Sequence, residues 1–296
     1  MNRRDFMKTT ALTAAGLAAG VSATSQAAAP RNLTKSLKFC MIASKDADGK
    51  PLSVKARLQI AKDAGFDSVE PNTIFTNKQL RDFEKASSEL DFPIDGIICS
   101  THWGKPLTDP NPEVYEETIK GMRTSIENAK ALGGDMVLLV PAVVNPNVRY
   151  VDAWTRAVER TKLLAEDAEK HGIVIGIENV WNKFLLSPLE AAAFIDEIDS
   201  KYVKFWLDVG NMVQFGYPED WVRTLGDRTV RVDVKDFVRK TNSFVELTKG
   251  DVDWAAVMKA FDEIGYEGIM AAEVSGGDLD YLTSAVSKPM DDIFVM

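Results

Sequence analysis

Eight short β-rich runs, each followed by a helical stretch and none by a long polar linker, predict a single-domain (β/α)8 barrel. Two further observations favour it. The eight units fit in roughly 240 residues, the size of such a barrel. No G-x-G-x-x-G follows any strand, as it would in a doubly wound sheet that binds dinucleotides.

Strands are expected at 36–42 (SLKFCMI), 67–71 (DSVEP), 93–100 (PIDGIICS) and 135–141 (DMVLLVP). Four more are expected at 173–179 (IVIGIEN), 203–211 (VKFWLDVGN), 229–237 (TVRVDVKDF) and 268–274 (GIMAAEV). The seventh alternates Val230, Val232 and Val234 with Arg231, Asp233 and Lys235, so its two faces differ in chemistry. Helices are expected at 53–65, ending on Gly65, and at 111–134, with Asn111 as cap and Pro112 in the first turn. Others are expected at 151–172, ending on Gly172; at 187–198, where Ser187, Pro188 and Glu190 form a capping pattern; at 218–226; and at 252–265.

Residues 1–29 have a different character. Arg3 and Arg4 precede the weakly apolar TTALTAAGLAAGV, and SATSQAAAP follows, which is the order of a signal peptide. That run of 13 residues is short of the ~20 that a membrane-spanning helix needs. With Phe6 and Lys8, the paired arginines resemble the bacterial twin-arginine export signal, which implies a periplasmic mature chain of residues 30–296 with no stable membrane span. Removing 1–29 takes 35 basic and 44 acidic residues to 32 and 43, a net charge of −11. So acidic a chain, without a basic run, argues against nucleic-acid binding. Cys40 and Cys99 both fall in apolar runs and are expected as two buried thiols rather than a disulfide.

In a barrel of this kind, chemistry collects where strands end. Glu70, Glu178 with Asn179, Asp208 with Asn211, Asp233 with Lys235 and Asp236, and Glu273 all sit at such ends, and His102 lies just past the third strand. A carboxylate at the end of an apolar strand is costly to bury unless paired or bound to a metal. Taken singly, Asp233 reads as a salt-bridge partner of Arg231 or Lys235. Taken together, Glu178, Asp208, Asp233 and Glu273 come from four successive strands, and a divalent cation is the simplest way to stabilise that convergence.

The motifs IGIENVWNKFLLSP, WLDVGNM, VKDF, GDVDW and IGYEGIMAAEV together resemble the sugar phosphate isomerase/epimerase family of xylose isomerase-like TIM barrels, whose relatives include ketose 3-epimerases and hydroxypyruvate isomerase. The resemblance implies a divalent ion, Mn2+ or Mg2+, held by Glu178, Asp208, position 233 and Glu273, with Glu178 and Glu273 also moving protons to and from substrate carbon. Two positions depart from the family pattern. The family's VHVKD reads VDVKD here, so Asp233 stands where a histidine is usual, and Asn211 replaces a second histidine. Four carboxylates over-neutralise a dication, and Lys235, on the same side as Asp233, would offset part of that.

His102 beside Trp103 is a candidate sugar contact, as are Trp181, Glu70, Asn211 and Lys235. His171, at a helix end, reads as solvated or capping. The expected function is an exported, metal-dependent isomerase or epimerase acting on an unphosphorylated sugar or keto-sugar through an enediolate, in a monomer or a homo-oligomer. The alternatives are a lyase or dehydratase acting on a 3-keto-sugar or glycoside at the same site, and a carbohydrate-binding barrel without catalysis. Only two histidines argue against the multi-zinc endonucleases of the same superfamily.

Overall fold

Strand alternation in this chain sorts two kinds of side chain onto two buried faces. A computed structural model describes residues 31–296, and the signal peptide expected over residues 1–29 lies outside them. Eight parallel strands make the barrel: β1 (Leu33–Lys38), β2 (Ser68–Glu70), β3 (Gly96–Ile98), β4 (Met136–Leu139), β5 (Val174–Glu178), β6 (Val203–Asp208), β7 (Thr229–Val234) and, after a hairpin, β10 (Gly268–Ala272). Their order is β2-β1-β10-β7-β6-β5-β4-β3. The seam between β2 and β3 is joined by the isolated bridges Val69 to Ile94 and Asn72 to Ile98, so the barrel is nearly closed. The hairpin is β8 (Asp236–Val238) paired antiparallel with β9 (Ser243–Val245).

Helices alternate with these strands: α1 (Val54–Asp63), α2 (Asn77–Leu90), α3 (Pro112–Leu132), α4 (Tyr150–His171), α5 (Pro188–Ile198), the single-turn α6 (Val209–Val213), α7 (Pro218–Leu225) and α8 (Trp254–Ile264). Their starts are capped as the sequence suggests. Ser53, Asn111 and Ser187 accept from the backbone N–H of Ala56, Glu113 and Glu190. The sequence reading lacks α2, which Thr76 caps and which buries Phe83 and Ala86. It also lacks a C-terminal segment, α9 (Leu279–Tyr281), a wider π-type turn (Leu282–Ser287) and α10 (Lys288–Phe294). The chain end folds back onto the barrel. Arg31 donates to Phe294 O at 2.6 Å and forms an ion pair with Asp262 at 2.7 Å, while Met290 and Ile293 are buried. No helix among the described residues is long and apolar enough to cross a membrane.

The main core lies between the strands and their helices, and a smaller one fills the barrel itself with Met136, Leu138, Val140 and Trp206. Gly176 makes room for that indole: a Cβ there would stand 2.8 Å from Trp206 Cε3. On β7 neither face is wet. Val232 and Val234 face the helices, while Arg231 and Asp233 face the barrel axis and are just as buried. The first strand is shorter than expected because Lys38 is followed by a 3-10 turn, Phe39–Met41. The turn points Phe39 and Met41 inward and leaves Cys40 exposed at the rim, so only Cys99 is the buried thiol expected of both; no disulfide joins them.

Candidate metal centre and substrate cavity

Parallel pairing in register brings the acidic strand ends side by side. Asp208 pairs directly with Asp233, and Asp233 with Ala271, two residues before Glu273. Glu178 ends β5 on the other flank. One carboxylate oxygen from each of Glu178, Asp208, Asp233 and Glu273 lies within 4.8 Å of all the others. In strand order the two glutamates stand outside and the two aspartates between them.

Two lysines enter this cluster. Lys38, at the end of β1, lies 2.6 Å from Asp233 Oδ1 and 2.6 Å from Glu70 Oε2, and its side chain is 3% exposed. Lys235 reaches Asp208 Oδ2 at 3.1 Å and Glu273 Oε2 at 3.3 Å from the cavity side. Burial disfavours both ammonium groups, but the surrounding carboxylates outweigh it and hold them above the ordinary lysine range. The carboxylates are affected unequally. Burial and mutual repulsion raise Glu178 well above its usual range and push Asp208 up to about 8; burial, against the pull of Lys38, pushes Asp233 up to about 6. Glu273 goes the other way: burial would raise it, but Lys235 and Lys38 hold it below the usual carboxylate range.

Deeper in the barrel the charges continue. Arg231, 1% exposed, contacts Asp95 Oδ1 at 2.8 Å, Asp135 Oδ1 at 2.8 Å and Glu70 Oε1 at 3.2 Å. Glu70, expected as a sugar contact, therefore bridges Arg231 and Lys38 within the barrel interior. A layer that branched aliphatic side chains fill in most such barrels is ionic here.

Asparagines lock the strand ends. Asn179 accepts from Asp208 N at 2.9 Å and donates to Asp208 O at 2.8 Å. Asn211 donates from its backbone to Asp208 Oδ1 at 2.7 Å and from its amide to Asn179 O at 2.9 Å. These bonds occupy Asn211, expected as a sugar contact, in holding Asp208 in place; only its Oδ1 reaches toward Lys235, at 3.5 Å. Trp181 donates to Asn211 O at 3.0 Å and packs edge-on against Phe237.

His102 is 4% exposed and accepts from Val140 N on Nδ1 at 3.1 Å, so the ring proton is assigned to Nε2. Burial pushes the imidazole down to about 3 despite the pull of Glu273, so it is a neutral donor. Trp103 stands beside it, half exposed, with ring centroids 6.1 Å apart.

A cavity of about 560 Å³ opens beside the carboxylates, lined by Lys235, Glu273, Phe244, Glu246, Lys249 and Tyr281. Its outer wall is the β8–β9 hairpin and the loop that follows. Asp236, fully buried, pins both, and so accounts for the paired motifs VKDF and GDVDW. Its Oδ1 accepts from Phe237 N at 2.8 Å and Val252 N at 3.3 Å; its Oδ2 accepts from Gly250 N at 3.1 Å and Trp254 Nε1 at 3.3 Å. Gly250 is required at that approach, since a Cβ would meet Asp236 Oδ1 at 2.0 Å. Glu246 and Lys249 lie on a loop with no periodicity and Tyr281 in the short α9, so no sequence pattern marks them. Lys38 escaped because a lysine at a strand end reads as solvent-facing.

The donor set suits a hard divalent cation. All four groups offer oxygen, and one of these oxygens, Asp233 Oδ2, is buried and accepts no hydrogen bond. An unpartnered buried acceptor is costly, and a cation at the centre would relieve it.

Comparison with known proteins agrees with this architecture. Residues 58–288 match the family described as xylose isomerase-like TIM barrel. Over 231 residues, 71% of this chain and 72% of the relative, it is 30% identical to the D-psicose 3-epimerase of Enterocloster bolteae. It is 25% identical over 187 residues to the uncharacterised protein MJ1311 of Methanocaldococcus jannaschii; that match covers 57% of this chain and 62% of the relative's length. A crystal structure of a D-tagatose 3-epimerase-like protein superposes with a TM-score of 0.75 at 18% identity, covering 88% of this chain and 98% of that one, a likeness of fold. By these matches the chain belongs to the xylose isomerase-like TIM barrel family.

Proposed function

We propose that this protein is a divalent-metal-dependent sugar isomerase or epimerase that abstracts a proton next to a carbonyl. The observation that carries the reading is the convergence of Glu178, Asp208, Asp233 and Glu273 within 4.8 Å at the mouth of a barrel with an adjoining cavity. Mn2+ or Mg2+ held by these four residues would polarise the sugar's oxygens and acidify the neighbouring C–H bond.

The chain's own residues supply the rest. Glu178 and Glu273 flank the aspartate pair, so a substrate carbon above that pair would have one carboxylate on each side. Removal of a proton by one glutamate and return to the same carbon by the other would invert it; return to the neighbouring, former carbonyl carbon, with a proton moved between the two oxygens, would isomerise the sugar. His102 donates through Nε2 without changing charge, which suits it to a sugar oxygen. Lys235, beside Asp208 and Glu273, would offset negative charge developing on an enediolate. The relative's name, D-psicose 3-epimerase, makes ketohexoses the first substrates to try. Export by the twin-arginine route, with residues 1–29 as the signal, is part of the same proposal and favours an unphosphorylated sugar.

The test is solvent exchange. Mn2+-loaded protein incubated with D-psicose, D-fructose and D-tagatose in D2O should introduce deuterium at the carbon next to the carbonyl, and Glu273→Gln should abolish this while leaving the melting temperature within a few degrees. No incorporation into any ketose, or full exchange by the Gln variant, would refute the assignment. For export, the N-terminal sequence of protein from the periplasmic fraction should begin near residue 30.

A further inference from the structure

Lys38 has no role in the chemistry just described, yet it is the most tightly fixed charge at the site. It lies between Asp233 Oδ1 and Glu70 Oε2, each at 2.6 Å, and over the face of Trp206 at 4.5 Å from the ring centroid. Arg231 holds Glu70 from the far side. The two lysines differ in freedom. Lys235, 14% exposed, reaches its carboxylates from the cavity and can withdraw into it; Lys38, 3% exposed, is enclosed in the barrel and stays when a cation arrives.

Two consequences follow for any ion bound there. Lys38 occupies Asp233 Oδ1 and leaves only the unpartnered Oδ2 for the ion, so Asp233 can coordinate through one oxygen only. The ammonium also removes one unit of negative charge from a site with four carboxylates. Both effects disfavour a large ion that seeks many oxygens and bidentate carboxylates, as Ca2+ does, more than a smaller ion at shorter distance.

We propose, resting on the metal-dependent reading above, that Lys38 is a metal-specificity residue: it holds Asp233 to a single coordinating oxygen and so sets the site against Ca2+ in favour of smaller divalent ions. It is a positioning residue, acting through Asp233 and touching no substrate.

The experiment titrates metal-free full-length protein with Mn2+ and with Ca2+ separately by calorimetry, for wild type, Lys38→Met and Lys38→Ala. Neither side chain can donate to Asp233 Oδ1, and Ala, which leaves room for water beside the carboxylates, remains available should Met fail to fold. In the variants Ca2+ binding should tighten at least tenfold more than Mn2+ binding, while the melting temperature without metal falls. A merely structural role would loosen both ions alike. If the ratio of the two dissociation constants stays within threefold of wild type in the folded variants, the proposal is overturned and the metal-dependent reading stands. Failure of wild type to bind either ion overturns both.

Discussion

Replacing Asp236 by Asn tests whether the cavity wall depends on one carboxylate. The side chain is fully buried and its two oxygens accept from four donors: three backbone N–H groups and the Trp254 indole. An amide keeps one oxygen and turns an NH2 toward two of those donors. Two bonds to a charged acceptor are lost, at about 1.5–3 kcal/mol each, so the cost should be about 3–6 kcal/mol. At about 2–4 °C per kcal/mol for a chain of this size, the melting temperature should fall by on the order of 10 °C. Thermal unfolding followed by circular dichroism reads this directly. Hydrogen exchange adds the location, because the amides of Gly250 and Val252 should lose protection before those of the barrel strands. The KM for sugar should rise more than kcat falls, since Phe244 and Lys249 line the cavity while the four carboxylates sit on other elements. A melting temperature within about 2 °C of wild type, with those amides still protected, would refute the pinning argument.

Other perturbations separate the barrel's ionic parts. Asp233 and Asp208, raised to about 6 and 8, keep protons that an incoming ion must displace, so calorimetric Mn2+ affinity should rise as pH increases through that range. By linkage, carboxylates raised in the folded state stabilise it most below their unfolded values. That stability is lost as pH rises through the folded ones, so the metal-free protein should melt lower at pH 8 than at pH 5, and saturating Mn2+ should narrow the gap. Arg231→Met would leave Asp95 and Glu70 buried without their guanidinium and should cost about 3–5 kcal/mol in urea unfolding; a loss under about 1 kcal/mol would contradict the buried network. Gly176→Ala crowds Trp206 and should cost about 1–3 kcal/mol with a change in tryptophan emission, and an unchanged spectrum and stability would contradict the close packing.

How far the sequence reveals this site depends on how each residue is placed. Glu178, Asp208 and Asp233 end apolar strands, and a parallel barrel turns neighbouring strand ends toward one point, so periodicity alone suggests their convergence. Arg231 was legible as a charge but not as a partner. It lies one inward step below Asp233 on the same face and so meets Glu70 of β2 and the aspartates just before β3 and β4, not its sequence neighbour. Lys38 could not be paired from sequence, because its contact with Asp233 spans 195 positions and depends on β1 and β7 both flanking β10. The segment α2 went unread because Leu80, Phe83, Ala86 and Leu90 form a sparse stripe among charges. The strand expected over 229–237 breaks after Val234, where Asp236 interrupts the alternation of Val230, Val232 and Val234 and the backbone turns into the hairpin.

The β8–β9 hairpin has an evolutionary implication. It hangs outside the eight-strand ladder, pinned at its base by Asp236 and at the start of its turn by Arg239, which donates to Val213 O at 2.7 Å and Gly216 O at 3.1 Å, while the rest of the turn, residues 240–242, is exposed. Lengthening such a loop is cheap, since doubling it adds only about 0.6 kcal/mol of closure entropy. Insertions at the turn would extend the hairpin whose second strand lines the cavity and leave the acidic strand ends in register. A lineage carrying this barrel can therefore vary the wall of its cavity by editing a ribbon of chain, and inherit the acidic cluster unaltered.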